Sequence, residues 1–226
     1  MVNRGRCAGG RSFTLGPGLL AVLLFFSEPT AHAAPQGPVR EIAKGIFLIA
    51  DSALTESNFD RTVVLITEHG PGGTVGLVIN RPTTRPVSHV LPNMKQLVGR
   101  PETLFLGGPV ERRVLLVLIR TSDPPMSASR VFADVYVSPH VDTLTDVLAR
   151  GNRLDTFRLY AGYAGWTRGQ LKDEIDRGSW RMLRADAVTL FERDPDAVWD
   201  EMIRRASQQF AEPEADVERR LIAVRP

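Results

Sequence analysis

The residues best suited to acid–base chemistry bracket one predicted β-strand. Asp60 and Arg61 precede the β-branched run at residues 62–67, and Glu68 and His69 follow it. A carboxylate, an imidazole and a guanidinium within hydrogen-bond reach of one another would form a general acid–base set. Successive side chains of a strand point to opposite faces, so Glu68 and His69 are not expected to serve one site. We therefore interpret these residues first as the charged ends of a hairpin strand.

Asn80 and Arg81 end the next predicted strand, at residues 74–80. The planar guanidinium of Arg81 is suited to a carboxylate of a ligand or of a partner protein. A pair within the chain, with Asp60 or Glu68, is the alternative. Both interpretations make Asn80 and Arg81 candidates for binding.

Two glycine-containing segments are further candidates. Gly107 and Gly108 follow a predicted strand but do not open a helix, so we favour a tight turn with positive φ over a phosphate-binding loop. Gly165 and Trp166 directly precede a predicted helix. We expect Trp166 to serve first in core or hinge packing, with an exposed binding aromatic as the second interpretation.

The sequence gives little support to metal or nucleophile chemistry. His69, His89 and His140 do not share the four-residue spacing of ligands on one helix face, and the single cysteine is Cys7. No Gly-x-Ser-x-Gly segment is present. We therefore assign no catalytic residue, no metal and no cofactor.

Strands come first along the chain and helices gather later. Strands are expected in the segments 45–51, 62–67, 74–80, 103–106, 114–119, 131–137 and 157–161. Segment 114–119 is apolar throughout, which indicates burial on both faces. Helices are expected from Ser138–Pro139 to Gly151, from a Thr167–Gln170 capping box to Arg177, and after Asp194–Pro195. This order predicts an α+β protein with a mostly antiparallel sheet.

The N-terminus has the order of a secretory signal. Three arginines precede an apolar run at residues 15–26, and Ala31-His32-Ala33 provides the small residues of a cleavage site. We expect a signal peptide at 1–33 cut after Ala33, export to the periplasm or beyond, and no membrane anchor after cleavage. A mis-called start codon on a cytoplasmic protein is the alternative.

Cleavage would leave a chain without net charge. Removing residues 1–33 takes away three arginines and one glutamate, so that 25 basic and 25 acidic side chains remain. Such a chain has no overall field for nucleic acid or anionic lipid. The expected division is a linker at 34–44, one domain at 45–210 and a charged tail at 211–226.

Five separated segments resemble the YqgE/AlgH family of bacterial proteins. Trp180 and Trp199 also match that family, and the resemblance covers about residues 45–210. The segments are FLIAD at 47–51, FDRTVVLITEH at 59–69, GLVINRP at 76–82, LGGPV at 106–110 and GYAGWTRGQL at 162–171. The resemblance implies a curled, barrel-like, mostly antiparallel sheet with flanking helices. It assigns no molecular activity, although some members are named as regulators of exopolysaccharide synthesis.

Three functions remain open on the sequence. The first is a non-enzymatic binding or regulatory domain that contacts an unknown protein partner. The second is a small-molecule enzyme that uses Asp60, Glu68, His69 and Arg81. The third is a cytosolic transcriptional regulator, which requires the mis-called start because an exported protein does not meet the chromosome. For an exported domain, we expect no nucleic-acid partner.

Overall fold

The computed structural model describes residues 39–54, 58–152 and 156–223, with side chains to residue 209. All of these belong to one compact unit, Gly37–Pro226. The predicted signal peptide, with Cys7 and the cleavage site after Ala33, lies outside the described residues. The described residues therefore comprise most of the expected domain and most of the segment expected to be a charged tail.

Ten strands form in the described part of the chain, mostly where β-branched and apolar residues cluster. They are β1 (Ile46–Ala50), β2 (Val63–Gly70), β3 (Gly73–Val78), β4 (Pro82–Pro86), β5 (Thr103–Leu106), β6 (Val110–Arg120), β7 (Ser129–Phe132), β8 (Val135–Ser138), β9 (Thr156–Trp166) and β10 (Trp180–Arg184).

Five α-helices and a short 3-10 helix at Lys95–Leu97 accompany the strands described. Four of the helices are short, and the last is long. They are α1 (Val87–Val90), α2 (Thr143–Ala149), α3 (Gln170–Asp176), α4 (Ala187–Phe191) and α5 (Pro195–Ala223). Helix α5 begins after Asp194, whose carboxylate accepts the amide of Asp196 at 3.1 Å. It continues to Ala223, through most of the segment expected to be a charged tail.

The sheet has the order β10-β1-β2-β3-β9-β6-β8-β7. Neighbours along this path are antiparallel, while β5 lies parallel to β9 and antiparallel to β4. The α+β class and the mostly antiparallel sheet are thus confirmed. The predicted barrel-like form is not confirmed, because the sheet described here does not close: β10 and β7, the two ends of the path, do not pair with each other.

Helices cover both faces of the sheet. Phe47 and Ile49 of β1 pack with Trp199 and Met202 of α5 on one face. On the other face, Leu48 packs against Leu171 of α3 and the indole rings of Trp166 and Trp180. The far end of that face, from β5, β6 and β9, packs on α1 and α2. Because β1 is buried on both faces, it reads as a continuous apolar run.

Two strand predictions are corrected. Segment 131–137 forms the end of β7 and most of β8, joined by a two-residue turn in which Ala133 has φ of 39°. The turn contains neither glycine nor asparagine. Its second residue, Asp134, forms a salt bridge of 2.9 Å with Arg120. In segment 114–119, only Val117, Leu118 and Ile119 are fully buried, whereas Val114 is 36% exposed.

Two predicted helix starts are also wrong. Helix α2 begins at Thr143 rather than after Ser138, because the Ser138 hydroxyl lies within the preceding turn, 2.8 Å from the Thr143 hydroxyl. Helix α3 begins at Gln170, with Gly169 at its N-cap in the left-handed region. Only half of the capping box forms: the Gln170 side chain accepts the Thr167 amide at 3.1 Å.

Candidate functional site

The structure brings Asp60, Arg61, Asn80 and Arg81 together at the start of β2. Arg61 has φ of 48°, and its guanidinium lies 4.2 Å from the ring centroid of Trp199. The same guanidinium forms a salt bridge of 2.8 Å with Asp200 of α5. Arg61 therefore ties the loop before β2 to α5.

Asn80 and Arg81 hold that loop through its backbone. The Asn80 amide donates to the carbonyl of Arg61 at 3.0 Å, and its oxygen accepts the amide of Val63 at 2.9 Å. Arg81 donates to the carbonyls of Asn58 at 2.7 Å and Asp60 at 3.2 Å.

The surroundings of the Arg81 guanidinium fit a structural role. Burial lowers the pKa of Arg81, while the charge of Asp60 opposes that shift. Its hydrogen bonds go to backbone carbonyl groups, and among the described residues it forms no salt bridge with the carboxylate of Asp60 or Glu68. The four residues gathered here include no imidazole that could complete an acid–base set.

Glu68 and His69 lie at the other end of β2. A β-bulge between Ile66 and Glu68 precedes them, and they pair with Val75 and Thr74 of β3. The imidazole Nδ1 of His69 lies 2.7 Å from the hydroxyl of Thr74. The two side chains line different cavities, as expected for neighbours on one strand.

Gly107 and Gly108 cross the backbone of β9. A Cβ at Gly107 would collide with the carbonyl of Gly162, and one at Gly108 with the carbonyl of Tyr163. Gly107 also donates to Ala161 at 2.9 Å and accepts from Val78 at 2.8 Å, so it links β9 to β3. Close approach of two main chains, in addition to the positive φ of Gly108, is the reason for this glycine pair.

Trp166 ends β9 and is 5% exposed, in agreement with core packing. Its indole N–H donates to Glu174 of α3 at 2.9 Å, and the indole of Trp180 donates to the same oxygen at 2.8 Å. Phe59 stacks on the ring of Trp166 at 5.9 Å. Sequence reasoning missed Glu174, for which the only available signal is its position four residues after Gln170.

We use the term hairpin-end surface for the turn at residues 70–73 together with residues 165–170. A cavity of about 450 Å³ lies on its Glu68 side, with Tyr163, Gly165 and Trp166 among the lining residues. A second cavity of about 440 Å³ lies on its other side, lined by His69, Arg168 and Lys172 among others. Tyr163 and Arg168 were not singled out from the sequence, because their importance depends on the hairpin lying beside β9.

Neither a metal-ligand cluster nor a membrane-spanning helix is found among the described residues. No group of three or more histidine, cysteine, aspartate or glutamate residues is arranged to hold a metal ion in residues 39–54, 58–152 and 156–223. Among the helices described, none is both long and apolar enough to cross a membrane.

The architecture defines an α+β protein with helices on both faces of an open sheet and two cavities at a hairpin end. A family model described as AlgH-like matches residues 47–211. A UPF0301 protein of Mycobacterium tuberculosis is 37% identical over 182 residues, covering 79% of this chain and 88% of the relative. The corresponding protein of Mycobacterium ulcerans is 36% identical, with 79% and 89% covered.

Two solved structures share the fold. A Corynebacterium diphtheriae protein matches with a TM-score of 0.63 and 26% identity, covering 74% of this chain and 88% of its own. The AlgH protein of Pseudomonas aeruginosa matches with a TM-score of 0.58 and 28% identity, covering 76% and 93%. The chain belongs to the AlgH-like family, which confirms the resemblance. The family's molecular activity is not established.

Proposed function

We propose that this protein is a binding domain that acts through protein contacts, and that the hairpin-end surface is where its partner binds. The observation that carries the proposal is the separation of the acid–base candidates along β2. Asp60 and Arg81 lie at the start of the strand, and Glu68 and His69 lie at its end. A strand of this length separates its ends by roughly 20 Å, far beyond hydrogen-bond reach.

This separation disfavours the enzyme that would use Asp60, Glu68, His69 and Arg81. Arg81 is engaged with backbone carbonyls, and Glu68 and His69 line different cavities. Catalysis requires the reacting groups to converge on one position. The hairpin-end surface, by contrast, combines two open cavities with an aromatic wall and charges of both signs, which are features of recognition sites.

Site-specific photocrosslinking in cells that express the full chain tests this proposal. Benzoylphenylalanine would be placed at position 167, because Thr167 lines both cavities, and in a control protein at position 98. Val98 is 76% exposed and lies outside the hairpin-end surface. We expect a discrete adduct with another protein from position 167 only. Equal labelling from both positions, or no adduct from position 167, would contradict the proposal.

We also propose that the binding domain works in the periplasm, after removal of residues 1–33. The basis is the order of arginines, apolar run and small residues in the sequence. Fractionation of the crosslinked cells would report the compartment of the adduct in the same experiment.

A further inference from the structure

The cavity on the Glu68 side of the hairpin-end surface has an unbalanced charge. Among the thirteen described residues that line it, Glu68 is the only one charged at neutral pH. The Glu68 side chain is exposed, and no hydrogen bond or salt bridge joins its carboxylate to another residue of the described part. A cation that enters this cavity could therefore pair with the Glu68 carboxylate without displacing an internal partner.

The other walls of the cavity suit the apolar stem and the cationic tip of a basic side chain. Val75 and Val110 provide aliphatic surface, and Tyr163 and Trp166 provide aromatic rings. Aromatic faces attract ammonium and guanidinium groups, and long basic side chains bury their methylene stems against apolar surface. Glu174 and Phe59 already hold the Trp166 indole, so this wall is formed before a ligand arrives.

Gly165 leaves room on the floor of the cavity. A Cβ at this position would lie 3.4 Å from the Tyr163 ring and 3.8 Å from a methyl group of Val110. These are ordinary contact distances, and Gly165 lies in β9 opposite Val75 without a positive φ. A β-branched residue could therefore be accommodated by the strand but would occupy space inside the cavity.

From this geometry we propose that the Glu68 cavity binds an arginine or lysine side chain of the partner protein. The cation pairs with the Glu68 carboxylate, and its stem packs between the valine and aromatic walls. This inference rests on the proposed function, because it supplies the chemistry of recognition at the same surface.

An NMR titration of the full-length protein tests the inference with three probes. They are the N-acetyl methylamides of L-arginine, L-lysine and L-norleucine, the last being a neutral analogue of lysine. We expect saturable shift changes for residues 68–75 and 163–170 with at least one basic probe, and none with norleucine. Equal responses to all three probes, or no saturable response, would overturn the inference.

Two variants and a control locate the contact. Glu68→Gln should weaken binding of the basic probe about tenfold, the loss expected for one charge-assisted contact. Asp146→Asn removes the same charge from an exposed position of helix α2 and should leave binding unchanged. Gly165→Val should abolish binding while the thermal midpoint stays near that of the wild type. Unchanged affinity in Glu68→Gln, or binding retained in a folded Gly165→Val protein, would refute this site.

The two proposals fail separately. If position 167 crosslinks to a partner but no probe binds, the protein-binding surface is supported and the basic side chain is excluded as its ligand. If a basic probe binds but position 167 gives no adduct, the cation site is supported and the proposal of a protein partner is contradicted.

Discussion

At the scale of single residues, the side chain of Asn80 hydrogen-bonds to the backbone at the start of β2. Its carboxamide satisfies the carbonyl of Arg61 and the amide of Val63 at once. Val63 is fully buried, so its amide has no access to water if this acceptor is lost. Arg61, whose φ is 48°, is held through its carbonyl by the same side chain.

Replacing Asn80 by alanine should lower the free energy of unfolding by about 1–3 kcal/mol, the cost of leaving a buried donor unpaired. Asn80→Asp retains the acceptor for Val63 but sets a carboxylate oxygen against the carbonyl of Arg61, so any loss of stability in this variant comes from the donor side of the side chain. Urea denaturation of the three proteins measures both effects. An alanine variant as stable as the wild type would show that the loop is held by other contacts.

Tyr160 presents the opposite case, a buried hydroxyl without a hydrogen-bond partner in the described part of the chain. Burial raises the pKa of Tyr160 above its ordinary value of 10.0, and the nearby Arg158 guanidinium opposes the shift. The unfolded chain therefore loses this proton first as the pH rises. Stability linked to Tyr160 is fully present below about pH 10 and is lost above it.

Tyr160→Phe should therefore be at least as stable as the wild type at pH 7, because it removes an unpaired buried hydroxyl. Above about pH 10 its stability should fall less steeply than that of the wild type. Denaturation midpoints measured at several pH values compare the two proteins. Parallel pH profiles would mean that the Tyr160 hydroxyl is solvated in the folded protein.

At the scale of elements, the β5–β6 connection crosses over β9, and this crossing sets the path of both segments. Gly107, Gly108 and Gly162 meet there with their main chains in contact. Four residues of β6, 111–114, lie opposite the single residue Gly162, between the pairs Val110–Tyr163 and Leu115–Ala161. This bulge lets β9 continue to Trp166 and thereby build one wall of the hairpin-end surface.

Alanine at Gly162 should destabilise the fold by more than alanine at Gly151. Both glycines are left-handed, with φ of 69° and 63°, which costs an L-residue roughly 1–2 kcal/mol. At Gly162 the new Cβ would also lie 2.7 Å from the carbonyl of Val110, whereas at Gly151 it meets open space. Thermal unfolding of the two variants separates the steric cost of the new Cβ at position 162 from the cost of the left-handed conformation, which both variants share. Equal losses would show that the crossing can relax.

At the scale of the whole molecule, stability rests on three apolar clusters arranged on both sides of one sheet. The only cysteine of the chain is Cys7, within the expected signal peptide, so the exported domain would contain no disulfide. A core of this extent is sufficient for a domain of about 190 residues.

We expect processing after Ala33 when the full gene product is made in its host. This order of arginines, apolar run and small residues is typical of secretory signals. Intact-mass measurement of the protein recovered from the periplasm tests this expectation. Recovery of a species that still contains Cys7, or recovery only from the cytosol, would favour the mis-called start.

We also expect no sequence-selective DNA binding by residues 34–226. The chain after residue 33 carries 25 basic and 25 acidic side chains, and DNA affinity depends mainly on neutralising phosphates with positive charge. A mobility-shift assay at near-physiological salt is the measurement. Selective binding tighter than about 10⁻⁶ M would restore the transcriptional alternative.

The class of fold, the family and most strand positions could be predicted from local patterns, because hydrophobic runs and turn residues are local signals. The β5 prediction at 103–106 matches the observed strand at both ends, and the helix after Pro195 forms as expected. The expectation that Glu68 and His69 do not serve one site rests on strand geometry alone, and the two residues line different cavities.

The roles of the candidate residues, by contrast, emerge only from contacts in the folded chain. The 131–137 segment divides at Ala133 without a glycine or asparagine in the turn, and Ser138 is engaged in a turn before α2. Arg61 is 139 residues from the aspartate it pairs with, and Gly107 needs its glycine because β9 crosses it. Such contacts depend on segments that are distant in sequence, so no local pattern encodes them. The Glu68 cavity likewise exists because the β2–β3 turn lies beside the end of β9.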